Sequence, residues 1–253
     1  MFSSASLPLL LKQLGLPKMY EHWEELSAKA EKSNWSYSEY LKMLAELEAN
    51  NRYQKRIERH VKESKLPSGK GLMNFDFKAA KSVNAAQIKA IAENTSWVKQ
   101  AENIIIFGPS GVGKSHIAAA IGLNLIMQGI RVLFTQTTTI VQQLQQARSN
   151  YKLPEALTKL ARIDLIILDD IGYVKKDENE TNVLFELIAD RYERGSLIIT
   201  ANQPFSEWNN IFPDNMMAVA AIDRLVHHAT IINIKEQSYR KAQAQNKQSK
   251  SSS

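Results

Sequence analysis

Short apolar runs alternate with amphipathic segments from residue 103 onwards, whereas the first quarter of the chain shows only helical periodicity. The runs predict five strands, at 104–107, 132–135, 165–169, 197–201 and 231–234. The segments between them predict helices near 115–128, 138–147, 155–162, 180–194 and 216–227. Short strands separated by helices specify a parallel sheet covered on both faces. We therefore expect an α/β fold with a five-stranded parallel sheet.

The region before this sheet, residues 6–65, is predicted to be all-helical. One helix has its apolar face at Met19, Trp23, Leu26 and Ala30. Ser36 and Glu39 have the spacing of a capping box and begin a second helix, whose apolar stripe is expected to fade after Asn50. The stripe gives way to basic residues, namely Arg52, Lys55, Arg56, Arg59 and Lys62. They favour a helix laid along DNA phosphates, and the alternative is an ordinary solvated face with charge pairs.

Pro and Gly residues at 67–71 mark a break in the helical pattern, which sets a domain boundary after residue 66. Three parts follow: a helical N-terminal domain at 1–66, a nucleotide-binding core at 67–236 and a tail at 237–253. The tail consists mostly of Gln, Lys and Ser and is expected to be disordered after Tyr239. Between the break and the first strand, residues 75–77 are predicted to be extended and 84–98 to form one helix.

The motif G-x-x-x-x-G-K-S lies between the first predicted strand and the helix that follows it. It consists of Gly108, Pro109, Ser110, Gly111, Val112, Gly113, Lys114 and Ser115. Its glycines allow backbone N–H groups to converge on phosphate oxygens. Lys114 is placed to reach the β and γ phosphates, and Ser115 offers a hydroxyl to Mg²⁺. The strand before the loop and the helix after it supply the context in which such loops bind ATP.

Polar residues follow two other apolar strands. Asp169 and Asp170 end the strand at 165–169, and this position predicts that Asp169 holds Mg²⁺ and that Asp170 orients the attacking water. Asn202 follows the strand at 197–201 and can hydrogen-bond the γ-phosphate, although an Asn after a strand is often only a turn residue. Ligands of such sheets bind beyond the carboxyl ends of the strands.

Other polar and aromatic residues have two interpretations. Arg224 lies near the end of the helix before the last strand and is either a finger for a neighbouring subunit's γ-phosphate or a surface residue paired with Asp223. Phe75 and Phe77 either line the adenine pocket or hold the linker in place. The four Trp residues are interpreted as packing residues. We interpret the pair His227 and His228 as no metal site, because no carboxylate or third His sits at ligand spacing and neighbouring positions on a helix do not face together.

Composition and charge narrow the class of protein. The 253 residues include no Cys, which excludes disulfides and thiolate metal sites and fits a cytoplasmic protein. Lys and Arg outnumber Asp and Glu by 12 to 9 in residues 1–72 and by 5 to 1 in residues 235–253, whereas residues 73–234 hold 15 against 16. Basic flanks around a neutral core favour nucleic acid as a partner, and the alternative is that they serve solubility.

These motifs together resemble the AAA+ ATPases, within them the DnaC/IstB group, and most specifically IstB, the ATPase encoded beside an insertion-sequence transposase. The phosphate loop and the apolar strand ending in Asp169 and Asp170 identify the superfamily. The finer resemblance lies in the segments TANQPFSEW at 200–208, AAIDRLVHHA at 220–229 and EQSYR at 236–240, and in the Phe-Asp-Phe lead-in at 75–77. The resemblance covers nearly the whole chain.

The resemblance implies roles for individual residues. Residues 108–115 would hold ATP, Asp169 and Ser115 would lie beside Mg²⁺, and Asp170 would be the catalytic acidic residue. Asn202 would be the first sensor, and Arg224 would act in trans within a homo-oligomer. Similar proteins assemble on double-stranded DNA with ATP bound and stimulate the transposase.

Two departures from the AAA+ pattern bear on the mechanism. Most members have Glu at the position of Asp170, and the shorter side chain implies slow hydrolysis. Fewer than twenty residues follow Ile234, too few for a helical lid, and Arg240 is only a candidate second sensor. The expected function is a DNA-dependent ATPase that regulates transposition. A helicase loader of the DnaC type and a non-catalytic nucleotide-gated scaffold are the alternatives.

Overall fold

The structure of the chain is a computed structural model that describes residues 6–172, 178–210 and 215–235. By its internal contacts the chain divides into two compact units, Met1–Arg59 and His60–Ser253. This division falls inside a helix, whereas the sequence places the domain boundary in the loop at 67–71. Among the helices of the described ranges, none combines the length and the apolar character that a membrane crossing requires.

The helices of the first unit begin with α1 at Leu7–Gln13, followed by α2 at Pro17–Lys32 and α3 at Tyr37–Glu63. The capping box at the start of α3 is confirmed, because Ser36 N–H donates to Glu39 Oε2 at 2.7 Å and Glu39 N–H donates to Ser36 Oγ at 3.2 Å. These bonds from Ser36 hold the pKa of Glu39 below its ordinary value. The cap fixes where the long helix begins.

A buried carboxylate joins α3 to the start of α2. Glu48 is only 4% exposed and accepts the backbone N–H of Lys18 at 2.8 Å, at a helix N-terminus where an anion is stabilised. Arg52, one turn further along α3, lies 3.4 Å from Glu48 and donates to Gly15 O at 3.2 Å. The buried side of α3 also continues to Ile57, so the expectation that it fades after Asn50 is wrong.

The second unit contains a five-stranded sheet, formed by β1 at Asn103–Phe107, β2 at Val132–Gln136, β3 at Leu165–Asp169, β4 at Ser196–Ala201 and β5 at Ala229–Asn233. The strands lie in the order β2-β3-β4-β1-β5, with every pairing parallel. Every residue of β1, β3 and β4 is buried, as the continuous apolar runs predict. The predicted α/β fold with a five-stranded parallel sheet is therefore confirmed.

The helices of this unit lie close to their predicted positions. They are α6 at Lys114–Met127, α7 at Thr137–Ser149, α8 at Leu153–Ala161, α9 at Glu178–Arg191 and α10 at Asn215–Val226, and a 3-10 helix spans Phe205–Asn210. Helix α6 packs tightly on the sheet, because a Cβ atom at Gly122 would lie 2.8 Å from Ile167 Cδ1. A hydrophobic core shared by the sheet and helices α7 to α10 includes Leu144, Ile166, Leu187 and Leu225.

The segment before the sheet differs from its prediction in two places. The single helix expected at 84–98 is divided into α4 at Ala85–Glu93 and α5 at Ser96–Lys99, because the Asn94 side chain accepts Ser96 N–H and competes with the helix. The expected extended segment at 75–77 forms turns after a 3-10 helix at Leu72–Asn74. Asp76 Oδ1 holds these turns by accepting the N–H groups of Lys78 and Ala79.

The predicted absence of a lid, the predicted tail and the candidate second sensor all concern the last residues of the chain. The described residues end at Lys235, so Arg240, the segment 236–253 and the expectation of no helical lid lie outside them.

Candidate functional site

The phosphate loop connects β1 to the N-terminus of α6, as predicted. Gly113 has φ of 99° and immediately precedes Lys114, the first residue of α6. A Cβ atom at Gly113 would lie 2.7 Å from the ring of Phe75, and one at Gly108 would lie 2.5 Å from Ile234 O. Both positions require glycine, because backbone and ring atoms fill the space that a side chain would take.

Lys114 is 7% exposed and points into the turn of the loop. Its ammonium donates to Gly108 O and Pro109 O, each at 2.9 Å, and to Asn202 Oδ1 at 2.6 Å. The side chain that the motif assigns to the β and γ phosphates therefore lies beside the predicted first sensor. This contact joins the end of β1 to the end of β4, which are neighbours in the sheet.

One buried hydroxyl at the end of β3 holds the carboxylate of Asp169 and the backbone of Asp170. Thr200 Oγ1 donates to Asp169 Oδ1 at 2.6 Å and accepts the backbone N–H of Asp170 at 2.8 Å. Asp170 has φ of 63°, a left-handed conformation that only a local set of bonds sustains in a non-glycine residue. Ile171 N–H adds a bond to Thr200 O at 3.0 Å. The turn after β3 is thus fixed by β4.

Asn202 completes a chain of polar contacts across three strand ends. Its amide donates to Asp170 Oδ1 at 2.8 Å while its oxygen accepts from Lys114. The sequence of contacts runs from Asp169 through Thr200 and Asp170 to Asn202 and Lys114. Since β3, β4 and β1 are adjacent, residues far apart in sequence meet at one edge.

These residues line a cavity of about 710 Å³ beside the loop. Of the predicted residues, the lining includes Ser110, Gly111, Val112, Gly113, Lys114, Ser115, Asp169, Asp170 and Asn202. The Ser115 hydroxyl and the carboxylates of Asp169 and Asp170 supply oxygen donors to the same cavity. Oxygen ligands are those that Mg²⁺ prefers, so the donor set fits this ion. The geometry can hold a triphosphate with a metal ion at its terminal end.

The sequence did not identify Thr200 and His116 as residues of the cavity wall, and it left the role of Phe75 open. Thr200 lies inside an apolar strand, so only the pairing of β3 with β4 shows that its hydroxyl faces the carboxylates. His116 follows the loop and lies 3.0 Å from Gly71 O, and its ring is edge-on to Phe75 at 5.2 Å. Phe75 also contacts Gly113, whereas Phe77 packs on Phe75. Of the two aromatic residues, Phe75 is the one that lines the cavity.

Arg224 lies away from this cavity. Its guanidinium donates to Ala220 O at 2.9 Å and lies over the Phe185 ring at 5.2 Å. It lines a separate open depression of about 530 Å³ together with exposed Met216 and Val219. One chain therefore does not bring Arg224 to its own phosphate loop.

The predicted DNA-binding residues are all exposed, but they are not equivalent. Arg52 is engaged with Glu48 and Gly15, as described above, and Arg56 lies over the Tyr53 ring at 5.3 Å. Lys55, Arg59 and Lys62 remain as exposed cations that follow one another along α3. The structure thus gives Arg52 a role inside the helical unit.

Comparison with known proteins gives a family match over almost the whole chain. The family model described as IstB-like ATP binding protein matches residues 9–248. A Sinorhizobium fredii protein named as an insertion sequence ATP-binding protein is 52% identical over 240 residues, which cover 95% of this chain and 80% of that protein. A similarly named IS5376 protein of Geobacillus stearothermophilus is 39% identical, and 90% of each chain is covered.

Among solved structures, the DnaC helicase loader superposes with a TM-score of 0.55. The match covers 66% of this chain and 98% of that chain at 18% identity, and so it shows a shared fold alone. The fold is that of the AAA+ proteins, as predicted.

Replacing Thr200 by Val should destabilise the protein, because it removes both bonds that hold Asp169 and Asp170. We expect the free energy of unfolding to fall by about 1–3 kcal/mol in urea titrations. Thr200→Ser should stay near the wild type, since it keeps the hydroxyl. Thr158→Val, on the exposed face of α8, is the matched control and should cost less than about 0.5 kcal/mol. An unchanged Thr200→Val protein would contradict the assigned hydrogen bonds.

Proposed function

This chain belongs to the family of IstB-like ATP-binding proteins, and on that premise we propose that it is an AAA+ ATPase that assembles on duplex DNA and assists an insertion-sequence transposase. The observation that carries the catalytic part is the contact chain from Asp169 to Lys114 along one cavity wall. The insertion-sequence names of the relatives support the link to a transposase encoded alongside.

Each side chain has a role in hydrolysis that follows from its position. Lys114, at the N-terminus of α6, would bind the β and γ phosphates of ATP together with the loop N–H groups. Asp170 would hold the attacking water, and Asn202 would report the γ-phosphate because it touches both Lys114 and Asp170. Ser115 and Asp169 would hold Mg²⁺, which neutralises charge that develops on the phosphates. The short Asp170 side chain favours slow turnover.

Arg224 would complete the site of a neighbouring subunit. Its own chain places it outside the cavity, and the same helix exposes Met216 at 81% and Val219 at 65%. Exposed apolar side chains beside an arginine are typical of protein interfaces. An arginine supplied in trans stabilises the charge of phosphoryl transfer, so assembly would switch on hydrolysis. This proposal makes the homo-oligomer the active form.

The basic residues of α3 would supply the contact with DNA. Lys55, Arg59 and Lys62 are exposed on a helix, and such cations bind phosphates without reading base sequence. Arg56 is exposed as well, with its guanidinium over Tyr53, whereas Arg52 is paired with Glu48 and would contribute less. Binding to DNA would therefore depend strongly on salt.

Lys114→Ala should remove most ATP affinity, because it deletes a charged donor to the phosphates. We expect a loss of about 10–100-fold in equilibrium binding of a fluorescent ATP analogue.

Asp170→Asn should keep the wild-type affinity for ATP but slow hydrolysis by about 100-fold or more in a phosphate-release assay. Lys89→Ala, an exposed lysine on α4, is the control for both. Normal ATP binding by Lys114→Ala would contradict the loop assignment, and normal turnover by Asp170→Asn would contradict the water assignment.

Replacing Lys55, Arg59 and Lys62 together by Ala should weaken binding to duplex DNA and flatten its salt dependence. Each lost phosphate contact should reduce the slope of log affinity against log salt by about 1. Fluorescence anisotropy at several salt concentrations measures this slope. Lys42→Ala is the matched control, because this exposed lysine near the start of α3 is paired with Glu46. An unchanged slope in the triple variant would show that DNA binds elsewhere.

A further inference from the structure

A carboxylate and two imidazoles meet on the surface at the amino end of β5. Glu193, His227 and His228 each offer a ligand atom, and these atoms lie within 4.8 Å of one another. All three side chains are exposed. The sequence predicts no metal site, because no third ligand sits at ligand spacing from the histidine pair along the chain. The fold supplies that ligand from the end of α9, more than thirty positions earlier in the chain.

The local backbone holds the three side chains close together. Glu193 has φ of 57° and lies just after the last residue of α9, so the chain turns sharply there. His227 and His228 form the short turn between α10 and β5, where two hydrogen bonds hold the backbone. His227 N–H donates to Asp223 O at 3.0 Å, and Asn103 N–H donates to His228 O at 2.7 Å. The two imidazole rings consequently lie side by side, with centroids 4.1 Å apart.

The surroundings of the cluster resemble the second layer of a metal site. The hydroxyl of Tyr192 lies 3.0 Å from Nδ1 of His227, which leaves Nε2 as the nitrogen open to a metal. The carboxylates of Glu193 and Asp223 favour a cation at the cluster, while the Arg224 guanidinium opposes them on the side of α10.

We propose that Glu193, His227 and His228 bind a divalent transition-metal ion of the Zn²⁺ type. Two imidazole nitrogens and one carboxylate form a ligand set that such ions accept, and the fourth position stays open to water. The ion would connect the end of α9 to the end of α10. Because α10 also carries Arg224, the metal would restrain the element that we assign to the subunit interface. The site is independent of the phosphate loop, which lies at the opposite, carboxyl edge of the sheet.

Calorimetric titration of the untagged full-length protein with Zn²⁺, without nucleotide, tests the site. We expect one ion per chain in the wild type and loss of that binding in the His227→Ala, His228→Ala double variant and in Glu193→Gln. Tyr192→Phe should weaken binding by about 10-fold, because it removes the outer partner of His227. Visible absorption with Co²⁺ in place of Zn²⁺ should show the bands of a low-coordinate nitrogen and oxygen site.

His22→Ala is the matched control, since His22 and Glu25 form a histidine–carboxylate pair at 3.5 Å that has no second imidazole in it. It should bind Zn²⁺ as the wild type does. The absence of saturable binding by the wild type would overturn the proposal, as would full binding by the double histidine variant. Thermal melting of each variant without metal checks that it is folded. Glu193→Gln, which changes only an exposed side chain, keeps the test valid if the histidine variants unfold.

Discussion

The hydroxyl of Thr200 holds together the edge of the sheet that carries the proposed ATP site. It binds the carboxylate of Asp169 and the backbone N–H of Asp170, so one buried group orients both acidic residues. Neither bond would exist without the parallel pairing of β3 and β4, which sets the two strand ends side by side. The register of two buried strands therefore determines where a water and a metal ion would lie. Asn202 links Asp170 to Lys114 at the start of α6 through one hydrogen bond to each side chain.

Much of this edge could be predicted from the sequence, because its residues follow apolar strands directly. The loop at 108–115, the carboxylates Asp169 and Asp170, and Asn202 all have positions that depend only on local pattern and chain order. The role of Thr200 could not be predicted in this way, because it does not depend on local pattern. A threonine inside an apolar strand looks like an ordinary β-branched residue, and its partners are revealed only by strand pairing.

The features that the sequence did not predict also depend on contacts between segments. Asn94 ends a helix through its own side chain, although the apolar pattern continues to residue 98. Ile57 is buried in the middle of a basic segment, which charge patterning alone does not reveal. The carboxylate of Glu193 reaches the His227 and His228 pair only because two helices end at the same place. Each case depends on contacts between distant segments, which sequence periodicity does not report.

The fold alone does not decide between the two candidate functions. The similarity to the DnaC helicase loader establishes the architecture, and a helicase loader and a transposition regulator would share it. Under the proposed function, the separation of Arg224 from the cavity of its own chain would make the single chain a poor ATPase. Assembly, nucleotide and DNA would then be coupled, because DNA would collect subunits and neighbouring subunits would complete each other's sites. The insertion-sequence names of the relatives support the proposed role in transposition.

The most direct test of this account is a competition between labelled duplex and single-stranded DNA of equal length. The protein is held with a hydrolysis-resistant ATP analogue in one arm and with ADP in the other, and binding is followed together with the size of the complex. The account predicts multi-subunit assembly on duplex DNA in the presence of the analogue and its loss with ADP. Preference for single strands, or equal binding in both nucleotide states, would contradict it.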